Sequence, residues 1–198
     1  VYGEVGRSVQ GDRHAPLATK PVLSDAEMKA YARKLTAFGE FCAEQGMPLV
    51  YHHHMGAVVM FEPELDAFMA NSGEGIPLLL DAGHLHFARG DVLRAIDNHH
   101  ARIRHVHTKD IRQSVLDNLD WSRDSFLDAV IKGAFTVPGD GSLDFGAIVQ
   151  RLADHGYEGW FVVEAEQDPK ANPPLRMAQV GHAELMRVMT AAGYEVVT

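Results

Sequence analysis

Ile76-Pro-Leu-Leu-Leu-Asp-Ala-Gly-His84 is the stretch from which the architecture can be worked out. Its five leading residues form an apolar run of strand length, which suits a parallel strand buried on both faces. A carboxylate follows at once, and burying one is costly unless it is paired or coordinated. Asp81 must therefore cap a helix or face a cation. Three other runs end in the same manner: Pro48-Leu-Val-Tyr51 leads into His52-His53-His54, Ile103–Val106 into His107, and Trp160-Phe-Val-Val163 into Glu164. Strands that end in His, Asp, His and Glu read as walls of one pocket offering ligands to a divalent metal.

Helical patterns separate these strands. Ser24 and Glu27 make a capping box, and Met28, Tyr31, Leu35, Phe38 and Cys42 recur at helical spacing until Gly46. Glu62-Pro63 opens a helix with Leu65, Phe68 and Met69 on one face. Asp91 caps one carrying Leu93 and Ile96, another runs from about Phe145 to Gly156, and a last from Pro174 to about Ala192. About Ser114–Phe135 reads as an insertion with helical character near Phe126, and Val137-Pro-Gly-Asp-Gly141 as a turn. With Val1–Val5 counted, five strands alternate with helices, which predicts α/β architecture and a parallel sheet.

A doubly wound sheet meets that description, but ligands at the C-terminal ends of successive strands favour a (β/α)8 TIM barrel. Such a barrel needs about 250 residues. The expectation is a single domain over 1–198 that supplies about strands 4 to 8 and lacks the first three βα units. If the chain starts at Val1, open sheet edges and pairing into a homo-oligomer are expected.

Composition narrows the function classes. The chain has 198 residues, is 46% hydrophobic and 23% charged, and carries a net charge of −9. That charge argues against nucleic acid as a partner, which calls for clustered Lys and Arg. No apolar run approaches the roughly 20 residues that span a bilayer, so no membrane partner and no secretory leader are expected. The lone Cys42 rules out an internal disulfide and fits a reducing, cytoplasmic compartment. Of 12 histidines, His52, His53, His54, His84, His105 and His107 fall inside the strand-end segments.

Strand alternation sorts the neighbours: His52 with His54, His105 with His107, and Glu164 with Glu166 share faces. Asp81, His107 and Glu164 are the expected metal ligands, with His105 one layer deeper as a core histidine. At least one of the histidine triplet should touch metal or substrate; His53 is taken as a substrate contact. His84, on the loop after Asp81, is placed above the metal against substrate. Lys109 faces the same side as His107, where a neighbouring cation should lower its pKa and suit it to proton transfer. A salt bridge to Asp110 or another carboxylate is its alternative. An oxygen and nitrogen donor set without thiolate suits Mn²⁺ or Co²⁺, with Zn²⁺ left open.

Tyr51-His-His-His-Met-Gly56, Leu78-Leu-Leu-Asp-Ala-Gly-His84, His105-Val-His-Thr-Lys-Asp110, Phe135-Thr-Val-Pro-Gly-Asp-Gly141 and Gly159-Trp-Phe-Val-Val-Glu-Ala-Glu-Gln-Asp-Pro169 together resemble the xylose-isomerase-like metal barrels, and among them the inosose dehydratases. The resemblance covers essentially the whole chain. It implies Asp81, His107 and Glu164 as metal ligands and His84 as a substrate contact. At the position where the wider family usually places a glutamate, this chain has His52, with His54 as competitor. The implied activity is a metal-dependent lyase that removes water from 2-keto-myo-inositol, a small polyhydroxylated cyclic ketone, in inositol breakdown. Glu166 or a histidine such as His54 is then the candidate base, and Lys109 the candidate acid. Two rival activities share the barrel: a ketose epimerase or isomerase, which uses the same enediolate, and a phosphodiesterase of the apurinic-site nuclease type, which the charge argues against. As it stands, an incomplete barrel could also be a fragment without activity.

Overall fold

The computed structural model describes residues 8–197; the strand expected at Val1–Val5 lies outside them. Four parallel strands, β1 (Tyr51–His52), β2 (Leu78–Asp81), β3 (Ile103–His107) and β6 (Phe161–Val162), form one sheet in the order β1-β2-β3-β6. Helices lie between successive strands, as expected for βα units. The sequence runs longer than the paired strands: β1 and β6 have two residues each, and Trp160 is exposed.

Helix α1 (Asp25–Glu44) begins at the capping box, with the Ser24 hydroxyl accepting the Glu27 amide and the Glu27 carboxylate accepting the Ser24 amide. Its face of Met28, Ala32, Leu35, Gly39 and Cys42 is buried, while Phe38 turns outward. Helix α2 (Glu62–Asn71) carries Leu65, Phe68 and Met69 into the same core, and α4 (Val92–His99) adds Val92, Ala95 and Ile96. Helices α7 (Phe145–Asp154) and α8 (Pro174–Ala191) cover the other end. Leu78 and Leu80 of β2 point into this layer, which is the alternation a doubly covered strand requires.

Some elements depart from expectation. The loop predicted after Asp81 is a short helix, α3 (Ala82–Phe87), started by Asp81 itself. The expected insertion holds α5 (Gln113–Leu116) and α6 (Phe126–Ile131). It is flanked by an antiparallel pair, β4 (Asp110–Ile111) with β5 (Phe135–Thr136). A second apolar cluster, including Met60, Phe87, Phe126 and Phe135, packs beneath this pair. The Val137–Gly141 turn is present, and it is tied to β4: Asp110 Oδ1 accepts the amides of Ile111, Ser142 and Leu143. A Cβ on Gly141 would fall 2.3 Å from that carboxylate, so the turn needs glycine there.

The turn before β2 is held from β3's side. The Arg102 guanidinium donates to the carbonyls of Met69, Ser72, Gly73 and Ile76, at 2.6 to 3.2 Å. Burial pushes Arg102 below its ordinary pKa.

Candidate metal centre

Sheet register builds the site. Asp81 lies directly beside His107, and His107 beside Val162, so these side chains leave the same face of the sheet. Glu164 lies two residues past Val162, and His52 ends β1 on the far side of β2. A first ring results. His52 Nε2 and His107 Nδ1 lie 3.3 and 3.4 Å from Asp81 Oδ2, and Glu164 Oε2 lies 3.0 Å from His107 Nδ1. His52, Asp81 and His107 each offer a ligand atom, all within 4.8 Å of one another.

A step of two residues along each strand gives a second ring, because side chains repeat their facing with period two. His54 follows His52, Lys109 follows His107, and Glu166 follows Glu164. On β2 the equivalent position is Gly83, where a Cβ would stand 2.6 Å from Lys109 Cβ; His84 fills the gap from α3. His54, His84 and Glu166 also offer atoms within 4.8 Å of one another. Lys109 Nζ donates to Glu166 Oε2 at 2.7 Å and His84 Nε2 at 3.1 Å, and stands 3.2 Å from Glu164 Oε2. Phe135 lies under the ammonium, 5.4 Å to the ring centroid, and Phe126 lies beside His54.

The first ring has the chemistry of a cation site. His107 Nδ1 and Glu164 Oε2 are buried and 3.0 Å apart, yet neither makes a hydrogen bond. A buried polar atom without a hydrogen bond costs about 1–3 kcal/mol, and a cation shared by the two would remove that cost. Two imidazoles with two carboxylates form a mixed nitrogen and oxygen set suited to a divalent ion.

Charge is balanced tightly. Burial pushes the Asp81 carboxyl up, but His84, Lys109 and the flanking imidazoles outweigh it and hold it well below the usual carboxylate range. For Glu164, burial is likewise overcome by His107 and Lys109, which bring it down to about 2. His107 is depressed by burial but raised to about 9 by Asp81 and Glu164. Burial also holds His84 and His52 below the ordinary imidazole value.

The structure keeps some of the expected placements and changes others. His52 stands with Asp81 and His107, whereas His54 stands in the second ring. His53 is not a pocket residue: it is buried, and its Nε2 accepts the Asp81 backbone N–H at 3.2 Å. Its ring faces the strand, as the odd member of an alternating triplet must. Lys109 is paired with Glu166 and Glu164, not Asp110. Burial lowers its pKa, but Asp81, Glu166 and Glu164 outweigh it and raise it above the ordinary lysine value. His105, expected in the core, is half-buried. Gln10 was not foreseen; its amide reaches within 3.3 Å of His54 Nε2. It comes from an N-terminal loop with no periodicity to signal it.

The model of the xylose isomerase-like TIM barrel family matches residues 6–190. The chain belongs to that family. Within it, the chain is 44% identical over 196 residues to the rhizopine catabolism protein MocC of Rhizobium meliloti, covering 99% of this chain and 60% of that protein. It is 46% identical over 180 residues to the inosose dehydratase of Geobacillus thermodenitrificans, covering 90% and 60%. This family member thus spans about three fifths of the length of those relatives. A crystal structure of the IOLI protein with a zinc atom superposes with a TM-score of 0.65 at 17% identity, over 89% of this chain and 62% of that one. No helix among the described residues is long and apolar enough to cross a membrane.

Proposed function

We propose that this chain carries the metal-holding part of an inosose dehydratase, a carbon–oxygen hydro-lyase that removes water from 2-keto-myo-inositol. It would supply about strands 4 to 8 of the barrel. The observation that carries the reading is the first ring: the ligand atoms of His52, Asp81 and His107 lie within 4.8 Å of one another, with the Glu164 carboxylate 3.0 Å from His107. The identity to inosose dehydratases supports the substrate class.

In this reading His52, Asp81, His107 and Glu164 hold a divalent cation, Mn²⁺ or Co²⁺ by donor type. When bound, that cation supplies positive charge which lowers the energy of negative charge developing on the substrate's carbonyl oxygen. The second ring does the proton work. Burial raises the Glu166 carboxyl, but His54 and Lys109 outweigh it and keep it ionised, as a base requires. Glu166 removes the proton alpha to the ketone, with His54 beside its other oxygen at 3.7 Å. Lys109 stays protonated at neutral pH and gives its proton to the departing beta hydroxyl, so one water leaves. His84 and Phe135 confine Lys109, and His84 stands where a ring hydroxyl would be held. The buried free Cys42 accords with a cytoplasmic setting.

The test is a dehydration assay of the full-length protein on 2-keto-myo-inositol after chelator treatment and after Mn²⁺ or Co²⁺ is returned. Loss and recovery of water elimination is expected. Undiminished turnover in chelator overturns the reading, and stereochemical scrambling without loss of water identifies an epimerase instead.

A further inference from the structure

We propose that the Lys109 ammonium is a built-in cation that fills a second metal position, so that this site binds one divalent ion where its ligands could hold two. The inference rests on the metal-centre reading above and goes beyond it to the stoichiometry of the site.

Both rings carry the donors of a cation site. His54, His84 and Glu166 match the first ring in type, with two imidazoles and a carboxylate converging within 4.8 Å. His54 and Glu166 arise by the two-residue step, and His84 comes from α3 in place of Gly83. One member breaks the pattern: where β3 gives the first ring His107, it gives the second ring Lys109.

The ammonium sits among the donors. An ammonium has three N–H donors and a compact charge. Two of them are donated to Glu166 Oε2 at 2.7 Å and His84 Nε2 at 3.1 Å, and the charge stands 3.2 Å from Glu164 Oε2 as an ion pair. Two of these atoms belong to the residues that would otherwise bind a metal. Nor can the side chain swing away. Lys109 is fully buried, and its Cβ and Cγ lie so close to Gly83 that a Cβ there would be 2.6 and 2.7 Å from them. A second divalent ion would have to displace a pinned ammonium from its own carboxylates, against like-charge repulsion in a buried space.

The fixed charge also links the rings. Because Lys109 touches Glu164, a first-ring donor, it competes with the metal for that carboxylate. Removing the ammonium therefore opens the second position and frees Glu164 for the first.

The experiment measures bound metal directly, independent of turnover. The chain is stripped with chelator and titrated calorimetrically with Zn²⁺, Mn²⁺ or Co²⁺, and bound metal is counted by mass spectrometry after gel filtration. One equivalent is expected for the unaltered chain and for Lys109→Arg, which keeps a cation. Two are expected for Lys109→Ala, and one again for Lys109→Ala combined with His84→Ala. Circular dichroism checks each fold, and Lys109→Ser replaces Lys109→Ala should the latter not fold.

Two equivalents on the unaltered chain overturn the proposal without any variant, as do two anomalous peaks in Zn²⁺-soaked crystals. One equivalent on folded Lys109→Ala or Lys109→Ser also overturns it. No bound Zn²⁺, Mn²⁺ or Co²⁺ at all instead removes the metal-centre reading on which it rests.

Discussion

Asp81 Oδ1 accepts the backbone N–H of His84 at 2.9 Å, so the residue that starts α3 keeps its other oxygen turned toward His52 and His107. The two explanations open for a carboxylate at a strand end, helix cap and cation ligand, are met by its two oxygens. The cap fixes the carboxylate's orientation, and it draws His84 into the second ring.

This division of labour can be separated by substitution. Asp81→Asn keeps an oxygen for the cap, whereas Asp81→Ala removes it. Both should lose divalent-metal affinity together. Thermal or urea unfolding of the metal-free proteins should nevertheless place the alanine variant about 1 kcal/mol below the asparagine variant, the usual worth of an N-cap. Equal stability would show that the cap contributes nothing.

Glu166→Gln should bind metal as the unaltered chain does while lowering kcat by about 10²- to 10⁴-fold, the range for loss of a positioned base. Steady-state dehydration kinetics on the full-length protein, with metal content measured in parallel, checks both halves. Full activity in the glutamine variant would remove Glu166 from the proton-transfer role.

Gly83→Ala should disturb the second ring through packing alone. The new Cβ would stand 2.6 Å from Lys109 Cβ and 2.8 Å from its backbone oxygen. Overpacking of this kind costs about 1–3 kcal/mol, and the shift falls on the residue that holds Glu166. Unfolding curves should show the loss, and a crystal structure should show Lys109 displaced.

Glu62 supplies a pH test away from the pocket. It is buried and accepts two hydrogen bonds from Arg94 at 2.6 Å and the Asp91 amide at 2.8 Å. Arg94 chiefly, then the amide, hold its carboxyl below the ordinary glutamate value. A depressed folded pKa means that its stabilisation is complete above the unfolded value and fades as pH falls through the folded one. With Arg94 mostly solvated, Glu62→Gln should cost about 1 kcal/mol near neutral pH. That gap should shrink in acid below the ordinary glutamate range, as read by urea unfolding at both pH values.

Much of this arrangement was legible because it follows from periodicity. Apolar runs ending in His, Asp, His and Glu located the parallel strands, and the period of two paired His52 with His54 and Glu164 with Glu166. Ser24 and Glu27 announced α1 correctly. What escaped is what period alone does not encode. The β4–β5 pair is two residues long on each side, too short to show alternation. Helix α3 is only six residues, and its start depends on the Asp81 cap, which the metal reading had claimed. The substrate-contact reading of His53 overlooks alternation, which already sends it to the opposite side, where it binds the Asp81 amide. The carboxylates that pair with Lys109, Glu164 and Glu166, lie after β6, far away in the chain.

Arg102 ties together segments that belong to different strands. Its guanidinium collects four carbonyls from the end of α2 and the turn ahead of β2, while its own backbone leads into β3. Fraying of either strand at its lower end must therefore break the same clasp. Amide hydrogen exchange along Leu78–Asp81 and Ile103–His107 should accordingly proceed at one shared opening rate, and the two central walls of the pocket should behave in solution as one cooperative leaf.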